Sequence, residues 1–113
     1  MSDDDEAGEI WRGIVERLLA ADDRITLKHA FSSPGLRLDD MIFAMDVKGE
    51  LVVKLPEGRC EELASDGGAR PFATGGRQMR EWVVVAAERA FEWDAIADEA
   101  LAYARRASAT RRP

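Results

Sequence analysis

Hydrophobic and polar residues alternate over residues 35–55 in a pattern typical of three short strands joined by two tight turns. The first turn is expected at Asp39 and Asp40, and the second at the three residues 48–50. The opposite pairs in this register are Leu38–Met41, Leu36–Phe43, Val47–Leu51, Met45–Val53 and Phe43–Leu55. All of these apolar side chains share one face, so the meander is expected to lie in the middle of an antiparallel sheet, under the terminal helices.

The reverse face of this meander is half apolar, which indicates association with another molecule. By the same register it carries Ile42, Ala44 and Val52 beside Arg37, Asp46 and Lys54. Three predicted helices are too few to cover both faces of such a sheet. We therefore expect a homodimer or an unidentified protein partner to contact Ile42, Ala44, Val52 and Lys54.

The rest of the chain predicts an α+β fold. Apolar residues recur at helical spacing near both ends and in one short middle segment. The expected elements are helices at 7–21, 57–65 and 91–107, extended segments at 25–31 and 78–85, and a loop at 69–76 anchored by Phe72. The resulting architecture is an antiparallel β-meander sheet packed by N- and C-terminal helices, with a short middle helix.

Length and composition indicate one domain. The chain has 113 residues, of which 46% are hydrophobic and 34% charged, and a net charge of -6. We expect a single domain over 7–107 between an acidic disordered tail at 1–6 and a basic disordered tail at 108–113. The acidic start resembles no targeting signal, and no apolar run is long enough for a membrane span, so a cytoplasmic location is expected.

Candidate catalytic chemistry is sparse. His29 and Cys60 are the only residues of their types, which leaves no triad and too few soft ligands for zinc. Burial on a helix would leave Cys60 inert, and the Gly75–Gly76 pair lacks the spacing of a phosphate-binding loop. The sequence therefore predicts that the protein is not an enzyme and that it binds neither a cofactor nor a metal ion.

One basic and aromatic cluster points to a different class of ligand. Arg70, Arg77 and Arg80 lie close in sequence to Trp82, and such combinations occur where proteins bind nucleic acid. The acidic net charge disfavours that function. Nucleic-acid binding through these three arginines stays an alternative to a protein partner.

Several strings resemble the N-terminal domain of the TfoX/Sxy proteins, regulators of natural competence in bacteria. They are residues 28–35 (KHAFSSPG), 41–44 (MIFA), 51–56 (LVVKLP), 71–72 (PF), 76–83 (GRQMREWV) and 100–103 (ALAY). The resemblance spans about residues 10–105, although Ala30, Phe31 and Ser32 stand where that family commonly has Met-Phe-Gly. It implies a secretion-chaperone-like α+β fold and a regulatory module without catalysis.

A second family, the YjbR-like proteins, is similar in size and in the order of elements. The shared pattern is a lysine-bearing strand, a short helix and a strand containing tryptophan, here Lys54, residues 57–65 and Trp82. This resemblance implies the same fold and makes nucleic-acid binding the alternative function.

Overall fold

The computed structural model describes residues 3–30 and 33–111, which form three helices and six strands. The helices are α1 (Asp3–Ala21), α2 (Glu57–Ser65) and α3 (Trp93–Arg111), and a 3₁₀ segment (Ala87–Glu92) precedes α3. The strands are β1 (Ile25–Ala30), β2 (Ser33–Leu38), β3 (Met41–Val47), β4 (Glu50–Lys54), β5 (Ala69–Thr74) and β6 (Arg77–Val85).

The six strands form one antiparallel sheet in the order β1-β2-β3-β4-β6-β5. The chain leaves the meander after β4, passes through α2 and returns at the far edge, so that β6 fills the place beside β4. The predicted α+β fold is confirmed: an N-terminal and a C-terminal helix and a short middle helix accompany an antiparallel sheet that has the meander inside it.

All three helices contribute to a single hydrophobic core against one face of the sheet. From α1 the buried side chains include Trp11, Ile14 and Leu18, at the spacing that predicted this helix. From α3 the core receives Trp93, Ile96, Ala97, Ala100, Leu101 and Ala104. The three alanines in this set let α3 approach the strands closely. We call this face of the sheet the helix-covered face.

The register of β2 with β3 agrees with the prediction at the turn and departs from it two residues later. Leu38 pairs with Met41, as expected, but Leu36 pairs with Ala44 instead of Phe43. A β-bulge at this point lets Phe43 and Ala44, which are consecutive, both enter the helix-side core with no solvent exposure. Every later residue of β3 consequently lies one position out of the predicted alternation.

The turn between β3 and β4 has two residues, and the three-residue prediction is wrong. Lys48 and Gly49 have φ angles of 53° and 83°, the combination of a type I′ turn. Val47 therefore pairs with Glu50, and Met45 pairs with Val52. Met45, which the bulge turns away from the helices, thus lies beside Val52 on the opposite face of the sheet.

Three predicted irregular segments are regular structure where the chain is described. Residues 3–6, predicted to be disordered, belong to α1, while residues 108–111 belong to α3. Ser108 is buried and its hydroxyl donates to Asp39 at 3.0 Å, which fixes the end of α3 against the β2–β3 turn. The loop predicted at 69–76 is largely edge strand β5. Residues 1, 2, 112 and 113 of the two predicted tails lie outside the described residues.

Candidate binding face

The second face of the sheet carries a separate apolar cluster made only of strand residues. Met45, Val52 and Val84 are at most 5% exposed, although no helical side chain among the described residues belongs to this cluster. Half-buried Ile42, Val47, Phe72 and Trp82 surround them. We call this side of the sheet the uncovered face, since its apolar centre is shielded only by neighbouring strand side chains.

At one end of the uncovered face, the Met45 side chain lies close to the backbone of Gly35 in β2. Gly35 pairs with Met45, and a Cβ at Gly35 would lie 3.3 Å from Met45 Cγ. Because glycine has no Cβ, the Met45 side chain can lie over the backbone of β2. The methionine therefore extends the apolar centre toward the edge formed by β1 and β2.

The predicted partner-binding residues divide between the two faces. Ile42, Val52 and Lys54 lie on the uncovered face, while Ala44 is fully buried against the helix layer and cannot contact a partner. That part of the prediction is wrong because the bulge reverses the direction of Ala44. Val52 is also without solvent exposure, so its contribution to a contact would be through the shape of the face.

Basic side chains dominate the periphery of the uncovered face. Strand pairing places Lys28, Arg37, Lys54 and Arg70 on this side, against one carboxylate, Glu50. Most acidic residues instead lie on the helices. A chain with a net charge of -6 thus carries an excess of positive charge on the side that its helices leave open.

Glu50 and Arg70 neutralise one another across the uncovered face. Two hydrogen bonds of 2.8 and 2.6 Å join the Arg70 guanidinium to the Glu50 carboxylate, and this contact holds the pKa of Glu50 below its usual value. The two side chains border a depression of about 340 Å³ whose floor includes Val52, Val84 and Phe72. We call it the apolar depression.

The β5–β6 hairpin extends beyond the rest of the sheet as an arm. Residues 77–79 of β6 pair only with β5, because the pairing of β6 with β4 covers 82–85. Gly75 and Gly76 turn the arm with φ angles of 59° and 78°, a conformation that favours glycine at both positions.

A groove of about 830 Å³ lies along the arm. It is lined by Lys54, Gly76, Arg77, Gln78, Met79, Arg80, Glu81 and Trp82, and we call it the arm groove. The ring of Trp82 also contacts that of Phe72, with centroids 6.3 Å apart and planes inclined at 51°. These two rings separate the arm groove from the apolar depression.

The three arginines proposed for nucleic-acid binding do not form one cluster. Arg77 and Arg80 are exposed and line the arm groove together with Lys54. Arg70 borders the apolar depression instead and forms an ion pair with Glu50. Within the described residues, no ion pair joins Arg77, Arg80 or Lys54 to a carboxylate. Sequence reasoning did not assign Lys54 to this group. Lys54 joins the two arginines because it pairs with Trp82, which brings the end of β4 next to the arm.

The remaining candidate residues offer little reactive chemistry. Cys60 is buried on the helix-covered side, and burial raises the pKa of its thiol to about 11. Its Sγ donates to the Leu55 carbonyl oxygen at 3.6 Å. His29 is exposed on edge strand β1. Burial, together with the nearby Glu81 carboxylate, raises the pKa of Tyr103.

The described residues hold neither a metal-binding cluster nor a membrane-spanning helix. Over residues 3–30 and 33–111, no group of three or more His, Cys, Asp or Glu side chains is arranged to hold a metal ion. None of the helices described here has both the length and the apolar character needed to cross a membrane. Comparison with protein-family models, curated proteins and solved structures finds no significant match to the chain.

Proposed function

We propose that the protein is a non-catalytic interaction module whose uncovered face binds an acidic protein partner. The observation that carries the proposal is an apolar face left without a helix. Half-buried Ile42, Val47, Phe72 and Trp82 surround the cluster of Met45, Val52 and Val84 there, and basic side chains lie at the periphery. Apolar patches rimmed by polar groups mark interaction sites in soluble proteins. A regulatory role is what the resemblance to the TfoX/Sxy family implies for such a module.

Charge favours a different protein over a second copy as the occupant. Two copies packed through the same face would bring Lys28, Arg37 and Lys54 of one toward the same residues of the other. Like charges brought together at an interface oppose association. A partner surface with apolar side chains between Asp and Glu residues would instead match both the centre and the rim.

Selection from a displayed peptide library tests this proposal. The immobilised protein is expected to enrich peptides that carry apolar residues flanked by Asp and Glu. The best peptide is then titrated by calorimetry against the Ile42→Ser/Val47→Ser variant, which removes two half-buried apolar side chains from the face. We expect binding to weaken roughly tenfold or more, the effect of losing contacts worth more than about 1.4 kcal/mol.

Phe91→Ser is the matched control because Phe91 is a 76% exposed apolar residue in the 3₁₀ segment that precedes α3. It should bind the selected peptide as the unmodified protein does. No enrichment of acidic peptides, or equal affinity for the double variant, would contradict the proposal. Light scattering tests whether a second copy of the chain covers the face instead. A dimer of the unmodified protein that becomes a monomer in Ile42→Ser/Val47→Ser would show that a second copy, and not an acidic partner, is bound there.

A further inference from the structure

The arm groove carries an excess of positive charge. Lys54, Arg77 and Arg80 line it, and none of the three has an ion pair within the described part of the chain. The lining holds one carboxylate, that of Glu81, against these three cationic side chains. A concave surface of this kind concentrates anions, and the planar guanidinium groups of arginine suit phosphate in particular.

An aromatic ring stands in the same groove. Trp82 is the half-buried tryptophan of this chain, whereas Trp11 and Trp93 are 5% and 1% exposed in the helix-side core. Phe72, which lines the apolar depression, contacts the Trp82 ring from that side. The indole therefore lies between the basic arm groove and the apolar depression. A flat aromatic group in an electropositive groove is a stacking platform for a nucleobase.

The size of the groove agrees with a ligand that combines both groups. Small-molecule sites have volumes of about 300–1,000 Å³, and the open arm groove has a volume of about 830 Å³. The groove is also open to solvent along the arm, because Gly76, Arg77, Gln78 and Arg80 are exposed. A nucleic-acid strand could therefore continue beyond the nucleotide that is bound in the groove.

We infer that the arm groove binds a nucleotide unit, with the phosphate held by Arg77, Arg80 and Lys54 and the base placed against Trp82. The unit can be a free nucleotide or one residue of a single strand, since the recognised chemistry is the same. This site shares Lys54 and Trp82 with the periphery of the uncovered face. The two proposals are distinguished by their variants, since the protein interaction is tested at Ile42 and Val47 and the nucleotide site at Arg77, Arg80 and Trp82.

Binding is measured with AMP and with fluorescein-labelled octathymidylate at about 50 mM salt, where phosphate contacts are strong. The indole N–H signal of Trp82 in a proton–nitrogen NMR spectrum reports the site directly, and anisotropy reports the labelled strand. We expect both probes to shift the Trp82 signal and to leave Trp11 and Trp93 unchanged. Tighter binding of octathymidylate assigns the site to a single strand, and equal binding assigns it to a free nucleotide.

The contributions of charge and ring are separated by variants. Arg77→Ala and Arg80→Ala change exposed side chains, and each is expected to lower the salt slope of octathymidylate binding by about 0.7. Trp82→Ala should weaken binding roughly tenfold, while Trp82→Phe keeps an aromatic ring and should bind within a few-fold of the unmodified protein. Arg12→Ala, which removes an exposed arginine from α1, should bind normally.

Several results would overturn the assignment. One is the lack of any Trp82 shift up to about 1 mM AMP together with no anisotropy change for octathymidylate. Another is equal loss of affinity in Arg12→Ala and Arg80→Ala, which would indicate attraction to the protein as a whole. Octaglutamate that displaces octathymidylate at equal concentration would show a general anion site without recognition of a base. The protein-interaction proposal is tested separately, with Ile42→Ser/Val47→Ser, so its failure and the failure of this assignment are distinguishable.

Discussion

A glutamate placed at residue 44 should disrupt folding, whereas the same residue placed three positions later should be tolerated. Ala44 has no solvent exposure and contacts the helix-side core because of the bulge in β3. Val47 lies near the turn on the uncovered face and is only half buried. The regular alternation predicted from sequence puts residue 44 on the open side, so the pair tests the register directly.

The expected magnitude follows from two costs at residue 44. Extra side-chain volume in a packed core destabilises by about 1–3 kcal/mol, and an unpaired carboxylate there adds several kcal/mol more. A domain of this length has a free energy of unfolding of roughly 6–17 kcal/mol. Ala44→Glu should therefore remove most or all of the stability of the fold, while Val47→Glu should cost about 1 kcal/mol or less.

Urea unfolding followed by circular dichroism measures both variants at neutral pH. Ala73→Glu makes the same substitution as Ala44→Glu at an exposed position of edge strand β5, and it should unfold at nearly the same urea concentration as the unmodified protein. If Ala44→Glu retained full stability while Val47→Glu unfolded, the two faces would be reversed. Similar stability for all three variants would refute the separation into a helix-covered and an uncovered face.

Three further predictions concern single side chains. Phe43→Ala should lower the free energy of unfolding by about 3–5 kcal/mol in a urea titration, because a fully buried ring is lost; a loss below about 1 kcal/mol would contradict its place in the core. Burial raises the pKa of Asp46 above its ordinary value of 3.8, so its contribution to stability is full below that pH and is lost as the pH rises through the folded-state value. Asp46→Asn should therefore make the free energy of unfolding depend less on pH in the range just above 3.8, as measured by urea unfolding at several pH values. If the variant and the unmodified protein showed the same pH dependence, Asp46 would be excluded as its source. The Cys60 thiol, with its pKa raised to about 11, should react with Ellman's reagent slowly in the folded protein and quickly in urea; fast labelling of the folded protein would show that the thiol is accessible.

Periodicity predicted the helices and the order of the elements because each helix buries one stripe against the sheet. Ile14 and Leu18 of α1 and Ile96 of α3 are buried where their spacing required it. The ends of the helices were less predictable. The last turn of α3, residues 108–111, has no large apolar residue, and buried Ser108 holds it through a hydrogen bond to Asp39, far away in sequence.

Strand register was predicted only up to the first irregularity. The bulge at Phe43 adds one residue to β3, and the two-residue turn at Lys48 and Gly49 removes one from the predicted connection. These changes offset one another in part, so that Leu51, Val53 and Leu55 remain in the helix-side core as predicted. Met45 and Ala44, which lie between the two irregularities, exchange faces. Alternation cannot reveal this, because both residues are apolar and either one could be buried.

The candidate site depends on the same long-range geometry. Lys54 ends the meander, and Arg77, Arg80 and Trp82 belong to a hairpin that follows a helix. Their meeting requires β6, and not β5, to pair with β4, a choice that no local pattern specifies. Given this pairing, the arm carries its two arginines past the end of β4 to the side where Lys54 lies. The electropositive groove is thus a consequence of strand order, and its charge is separated from the acidic helices because they all pack on the other face of the sheet.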